Sequence, residues 1–341
     1  MFYVTSYPFA VCLCVVCMLC WGSWGNAQKL VGKSWRYELF YWDFVLGLLF
    51  MAAMMGLTLG SWGENTAWGF LVNLRESFGW IWMWPLLSGI VFNASNILFS
   101  ASIAVAGMAV AFPIGSGIAG VGGTVLNYVL MPSGKSFGLI AAGLSLVVIS
   151  IICSAMAFGI RERASGLVRK RDCVKKGLLL AVVAGLLMMW FSPLVNKVID
   201  NSFAAPTPCD GKMTAYAAFF VFAIGMFLSN FLWNTIAMKR PVSGDAVSVR
   251  EYFRGGSHLH LAGMLGGGTW GLGTLLSFVS AGAASPAIAY ALGQGATLVS
   301  ACWGIVVWKE FRRAPCGAHG LNCAMFVLFI AGLAILVAAG A

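Results

Sequence analysis

The sequence predicts an all-α integral membrane protein: ten transmembrane helices in two inverted five-helix repeats, with both termini outside. Three observations carry that prediction. Of 341 residues 60% are apolar and only 9% charged, whereas about a quarter of a soluble chain is charged. Hydrocarbon about 30 Å thick takes roughly 20 apolar residues per helix. Stretches of that kind centre near Cys17, Phe50, Val91, Ala119, Val148, Leu187, Phe222, Gly271, Ser300 and Ile330. Finally, 17 of the 21 Lys and Arg residues lie in the loops after odd-numbered spans, at 29–36, 161–176, 239–254 and 309–313. The other side keeps Arg75, Lys135, Lys197 and Lys212. The positive-inside rule then places the 161–176 loop in the cytoplasm and both termini outside. A net charge of +10 reads here as membrane topology rather than as contact with nucleic acid.

The repeat is legible in a stretch without formal charge from Ser77 to Gly134. One span runs through Asn93, Asn96 and Ser100, a break falls near Ala106-Gly107, and a second span runs through Phe112-Pro113-Ile114-Gly115-Ser116-Gly117. A weaker copy extends from Leu261 to Trp308. There Gly263, Thr269 and Thr274 align with Gly89, Ser95 and Ser100. After short slips Ala281-Gly282 aligns with Ala106-Gly107, and Gly293-Gln294-Gly295 with Gly115-Ser116-Gly117. An odd number of spans per half forces the halves, 1–160 and 177–341, to insert with opposite topology on either side of the basic linker 161–176. Inverted repeats enclosing a site near the midplane are a recurrent plan of secondary transporters.

Taken in order, the first span lacks a basic leader and a small-residue cleavage site, so it is expected to stay in place. Its Cys17-x-x-Cys20 pair has no histidine nearby and reads as small packing residues. The segment Trp21-Gly22-Ser23-Trp24 reads as an interfacial aromatic belt, or as a place where Trp21 or Trp24 stacks on a planar solute. In the second span Asp43 lies six residues past Tyr37, about 9 Å in at 1.5 Å per residue. An acid at that depth marks a proton or solute path, or pairs structurally with Arg36 or a helix end. Glu38, shallower, reads as solvated.

In the third span Asn93, Asn96 and Ser100 share one helix face. They either bond a neighbouring helix or line a polar cavity. In the fourth, Gly115-x-Gly117-x-x-Gly120 matches a dinucleotide fingerprint formally, but no βαβ unit surrounds it. Pro113 beside those glycines suggests an interrupted helix. The triplets Gly32-Lys33-Ser34 and Gly134-Lys135-Ser136 lack the earlier glycine of a phosphate loop, with Ala27 and Val129 in its place. The segment 238–256 reads as a loop with an amphipathic turn, and His258 and His260 as interfacial caps that are able to titrate. Gly263, Gly267 and Gly271 form small-x-x-x-small steps. Thr269, Trp270, Tyr290 and Gln294 are the groups placed to face Asn93, Asn96 and Ser116 across the repeat axis. Glu310 is expected to pair with Arg312 or Arg313.

These residues resemble a family. The architecture resembles the drug/metabolite transporter superfamily, and within it the ureide permeases. The likeness rests on Trp21-Gly22-Ser23-Trp24, Tyr41-Trp42-Asp43-Phe44, Gly89 with Asn96-Ile97-Leu98, Gly123-Thr124-Val125-Leu126-Asn127-Tyr128 and the run from Ser300 to Arg313. The resemblance implies proton-coupled transport of allantoin, uracil and related oxo-heterocycles. Plant ureide permeases carry a longer central loop with a phosphate-loop-like sequence, which is absent here. The neighbouring glucose/ribose porters and L-rhamnose-proton symporter share the ten-span plan.

The expected function is therefore secondary active uptake of a small polar solute across the inner membrane. No cofactor and no metal are called for. Asp43 is the expected proton-coupling group, and Trp21, Trp24, Asn93, Asn96, Ser116, Thr269, Trp270, Tyr290 and Gln294 the solute-binding set. A sugar symporter is the alternative, and efflux of amphipathic compounds a more distant one. An intramembrane enzyme is disfavoured, because His258, His260 and His319 all sit near span ends, away from any nucleophile.

Overall fold

The computed structural model describes residues 1–32, 35–62, 69–166, 171–200, 212–242 and 244–341. Lys33 and Ser34 of the first GKS triplet, and Arg169 and Lys170 of the basic linker, lie outside the described residues. Among those described the chain is helical throughout, with no strand. The first half comprises α1 (Tyr7–Ser23), α2 (Gly25–Val31), α3 (Tyr37–Leu57), α4 (Phe70–Glu76), α5 (Met83–Ala106), α6 (Met108–Leu130) and α7 (Phe137–Ala164). The second comprises α8 (Arg171–Met188), α9 (Phe191–Asn196), α10 (Ala215–Lys239), α11 (Val249–Phe253), α12 (Ser257–Ala284), α13 (Pro286–Gly293), α14 (Ala296–Cys302) and α15 (Cys316–Gly340).

Among the described residues, nine segments are long and apolar enough to cross a membrane. They are Tyr7–Val31, Tyr37–Ser61, Trp80–Ala106, Val110–Leu130, Phe137–Ala164, Arg171–Asn196, Ala215–Lys239, Pro286–Val307 and Cys316–Gly340. A multi-pass membrane protein follows. Helix α12 is as long as any, at 28 residues, but seven glycines and two histidines dilute its apolar character.

Local chemistry sets the ends. Gly107, at φ 83°, separates α5 from α6 at the break expected there, a conformation that glycine adopts without a Cβ clash. Ser136 and Thr214 cap α7 and α10 with their side chains, and Ser248 forms a capping box with Glu251 at α11. Pro113 does not interrupt its helix, contrary to the expectation: α6 runs through it. Pro113 is the sixth residue of α6, just past the four donors that a helix start leaves unpaired, so the helix gives up one backbone bond there and continues on the rest. The break lies in the ninth span instead, between Gly293 and Ala296.

Glycine-lined crossings hold the bundle, and two of them bring backbone closest to backbone. Where α12 crosses α3, a Cβ on Gly267 would stand 1.8 Å from the Phe44 carbonyl oxygen, and one on Gly47 2.1 Å from that of Met264. Where α5 crosses α10, a Cβ on Gly89 would stand 2.2 Å from the Phe222 carbonyl oxygen, and one on Gly225 2.4 Å from that of Leu86. Backbones this close admit no side chain, and van der Waals packing between them is what drives helix association in lipid. Serines add bonds between helices, Ser95 Oγ donating to the Ala184 carbonyl at 2.7 Å and Ser150 Oγ to that of Met325 at 2.8 Å.

Candidate functional site

The aromatic residues of six helices meet around Trp270 of α12. Its ring stacks on Phe92 of α5 at 4.9 Å and on Trp21 of α1 at 6.2 Å, with Phe222 of α10 at 6.3 Å and Phe191 of α9 at 6.0 Å. Tyr290 of α13 meets Trp21 edge-on at 6.3 Å. Glycines on the facing helices seat Trp21, since a Cβ on Gly293 would lie 2.8 Å from its ring. Trp21 Nε1 donates to Thr274 Oγ1 at 2.9 Å, and Thr274 donates to the Trp270 carbonyl at 2.9 Å. The Tyr290 hydroxyl donates to the Ala119 carbonyl at 3.2 Å. Flat, electron-rich faces of this kind stack on planar rings.

Beside this cage lies an amide cluster that the sequence reading did not single out. Asn127 of α6 and Ser192 and Asn196 of α9 are all buried, and Asn127 and Asn196 each bond Ser192 Oγ at 3.0 Å. Asn127 belongs to the Gly123–Tyr128 motif quoted above. The 65 residues that separate it from Ser192 hid the contact.

Of the residues named from sequence, the cage gathers Trp21, Trp270 and Tyr290. Gln294 follows closely, its amide donating to the Tyr290 carbonyl at 3.4 Å. Trp24 packs on Phe44 at 5.0 Å. Asn93 ties α5 to α10 by donating to Ser229 Oγ at 2.9 Å and the Met226 carbonyl at 3.1 Å. Asn96 donates to the Tyr41 hydroxyl at 3.1 Å. Ser116 bonds its own helix at Phe112. Thr269 is half-buried, and Thr274 rather than Thr269 meets Trp21.

Asp43 of α3 is only 2% exposed. Both its carboxylate oxygens lie 3.0 Å from His260 Nδ1 of α12, and Oδ1 also accepts from the Tyr252 hydroxyl of α11 at 2.6 Å. Gly263 makes room, since a Cβ there would stand 2.4 Å from that of Asp43. Asp43 is thus neither a partner of Arg36 nor a helix cap, and His260 is more than an interfacial cap. Arg36 pairs instead with Glu38 at 2.7 Å, which corrects the solvated reading of Glu38. Burial, and then the hydrogen bond to and charge of Asp43, raise the Tyr252 phenol above its ordinary value. The signal available in sequence was the pair of histidines at the start of a glycine-rich helix.

At the same end of the bundle Glu310 pairs with Lys29 at 2.5 Å and Arg161 at 2.8 Å. It does not use Arg312 or Arg313, as expected from sequence. Trp303 and Trp308 donate to Ser23 and Asn26 beside it, at 2.9 and 2.6 Å. One ionic and aromatic latch therefore joins the ends of α2, α7 and α14.

A multi-helix membrane protein converging on an occluded aromatic and amide core, with the buried Asp43 to the side, has the build of a solute carrier. The ureide permease family model matches residues 159–339. Ureide permease 4 of Arabidopsis thaliana is 24% identical, with 99% of this chain and 98% of that protein aligned. Ureide permease 1 of the same plant is 25% identical with the same coverage. Probable ureide permease A3 of Vigna unguiculata is 21% identical over 86% of this chain and 93% of that one. A solved crystal structure, 18% identical, superposes with a TM-score of 0.60 over 97% of this chain and 96% of its own, a likeness of fold alone. The chain belongs to the ureide permease family. It is a transporter that moves a small-molecule solute across a membrane, and not an enzyme.

Proposed function

We propose that the protein imports a ureide or nucleobase-like oxo-heterocycle across the inner membrane together with protons, by alternating access. The observation that carries this reading is the coexistence of a buried cluster of stacked aromatic rings and a buried acid bonded to Tyr252 and His260. The relatives are named for ureides, which favours the heterocycle over the sugar reading. Trp21, Trp270, Tyr290 and Gln294 would hold the ring. Trp24, Asn93, Asn96, Ser116 and Thr269 would act from around it as the helices move.

Ten spans result when α12 is counted with the nine apolar ones. The halves 1–160 and 177–341, inverted about the 161–176 linker, are supported by the glycine crossings, and both termini outside by the positive charge of the loops. Gly89 and Gly263, aligned in the repeat, each sit where a Cβ would strike the partner helix, at Phe222 and Asp43 respectively.

Asp43 is the coupling group in this scheme. Ionised, its carboxylate accepts from Tyr252 and His260 and so ties α3 to α11 and α12. Each bond to a charged acceptor is worth about 1.5–3 kcal/mol. Protonation gives one of these acceptor sites away and loosens that end of the bundle. In proteoliposomes Asp43→Asn should abolish accumulation driven by a pH gradient while leaving counterflow exchange. Unchanged accumulation would remove Asp43 from coupling.

A further inference from the structure

We infer that Asn127, Ser192 and Asn196 form the edge-reading wall of the solute site and recognise an N–H beside a C=O on a planar ligand, as in ureas, lactams and imides. The inference rests on the cage being the solute site. The three residues are 0%, 2% and 3% exposed. Asn127 Nδ2 donates to the Gly123 carbonyl at 2.8 Å and to Ser192 Oγ at 3.0 Å. Asn196 Nδ2 donates to Ser192 Oγ at 3.0 Å and to Asn127 Oδ1 at 3.2 Å. Both amide nitrogens have thus given two hydrogens each, which is all they have.

Two groups are left over. Ser192 Oγ accepts twice, so its own hydrogen is what it has left to give, and no bond among the described residues takes it. Asn196 Oδ1 is buried without a donor among the described residues. One open donor and one open acceptor therefore sit four residues apart, on successive turns of one helix face. A buried acceptor left unpaired is costly, and a purely structural tie between α6 and α9 would not require it. A urea or imide edge, with N–H beside C=O, satisfies both groups at once.

Placement agrees with this chemistry. Phe191, adjacent to Ser192, is a wall of the cage, at 6.0 Å from Trp270 and 6.2 Å from Tyr290. Tyr290 rests on Gly123, where a Cβ would come 2.4 Å from its ring, and Gly123 carries the carbonyl that Asn127 holds. The cage stacks on the ring face while the cluster reads the ring edge.

The test is calorimetric binding of uracil, allantoin and 1,3-dimethyluracil to the purified full chain. Dimethyluracil keeps the ring and both carbonyls but has no N–H. Wild type should prefer uracil to dimethyluracil by roughly 10- to 100-fold, the penalty for a buried polar group left unpaired. Asn196→Leu should bring uracil down to the dimethyluracil level and leave dimethyluracil unchanged. Ser192→Ala should weaken uracil binding and serves as the second variant if Asn196→Leu does not fold. Undiminished preference for uracil in folded Asn196→Leu, undiminished uracil affinity in folded Ser192→Ala, or equal binding of the two compounds by wild type, would overturn the assignment while the transport reading stands. Failure of wild type to bind either uracil or allantoin would overturn the heterocycle reading and the assignment with it.

Discussion

The crossing of α3 with α12 and that of α5 with α10 use the same device and carry different chemistry. Each brings backbones together through paired glycines, Gly47 with Gly267 in one and Gly89 with Gly225 in the other. At the first, the polar contact is Asp43 with His260, both able to change charge. At the second it is Asn93 with Ser229, both neutral at any physiological pH. Asn230, next to Ser229 and fully buried, has neither amide atom bonded among the described residues. The pairing separates two chemistries: ionisable side chains meet at one crossing and neutral ones at the other.

The largest effect expected comes from filling either crossing. Gly267→Leu and Gly89→Leu should each cost about 3 kcal/mol or more, because overpacking here meets backbone rather than a movable side chain. Loss of monodisperse protein in detergent checks this. A well-folded Gly267→Leu would break the equivalence of the two crossings. Next comes the contrast between the two crossings. His260→Asn should lower pH-driven accumulation roughly tenfold, by removing a bond to a charged acceptor, and leave exchange intact, whereas Asn93→Ser should leave the pH profile unchanged. A pH profile that moves with Asn93 rather than His260 would reverse the comparison.

Asn230→Leu should be neutral or raise thermal stability by about 1 kcal/mol, since an apolar group of similar shape replaces an amide without partners. A loss of several kcal/mol would mean that the amide is bonded in the folded protein. The smallest effect concerns Tyr252. Its phenol is raised in the folded state, so the stability tied to it is complete below the ordinary value of about 10 and is lost as pH climbs above that. Tyr252→Phe should flatten this alkaline decline in a thermal melt between pH 8 and 11. An unaltered decline would place its origin elsewhere.

What could be read in the sequence was whatever depends on neighbours along the chain. Long apolar runs give the spans, because lipid leaves a helix as the way to satisfy the backbone. The break at Gly107 was legible locally, whereas its aligned partner Gly282 lies inside α12. Asp43 stood out as an acid in an apolar segment. Its partners did not, since His260 is 217 residues away and Tyr252 is 209. Glu310 was assigned to nearby arginines by proximity, yet Lys309 at φ 51° turns the chain there and the carboxylate reaches Lys29 and Arg161. The amide cluster was hidden for the same reason. Asn127 and Asn196 are ordinary helix residues until the fold sets them side by side.

The most direct test of coupled heterocycle uptake is proton movement driven by solute alone. Proteoliposomes loaded with a pH-sensitive dye, with no pH gradient imposed, are given external allantoin, uracil, glucose or rhamnose. The lumen should acidify with the heterocycles, stay unchanged with the sugars, and lose the response in Asp43→Asn. Acidification by the sugars alone, or heterocycle entry with no change in luminal pH, would contradict proton-coupled import of a ureide-like solute.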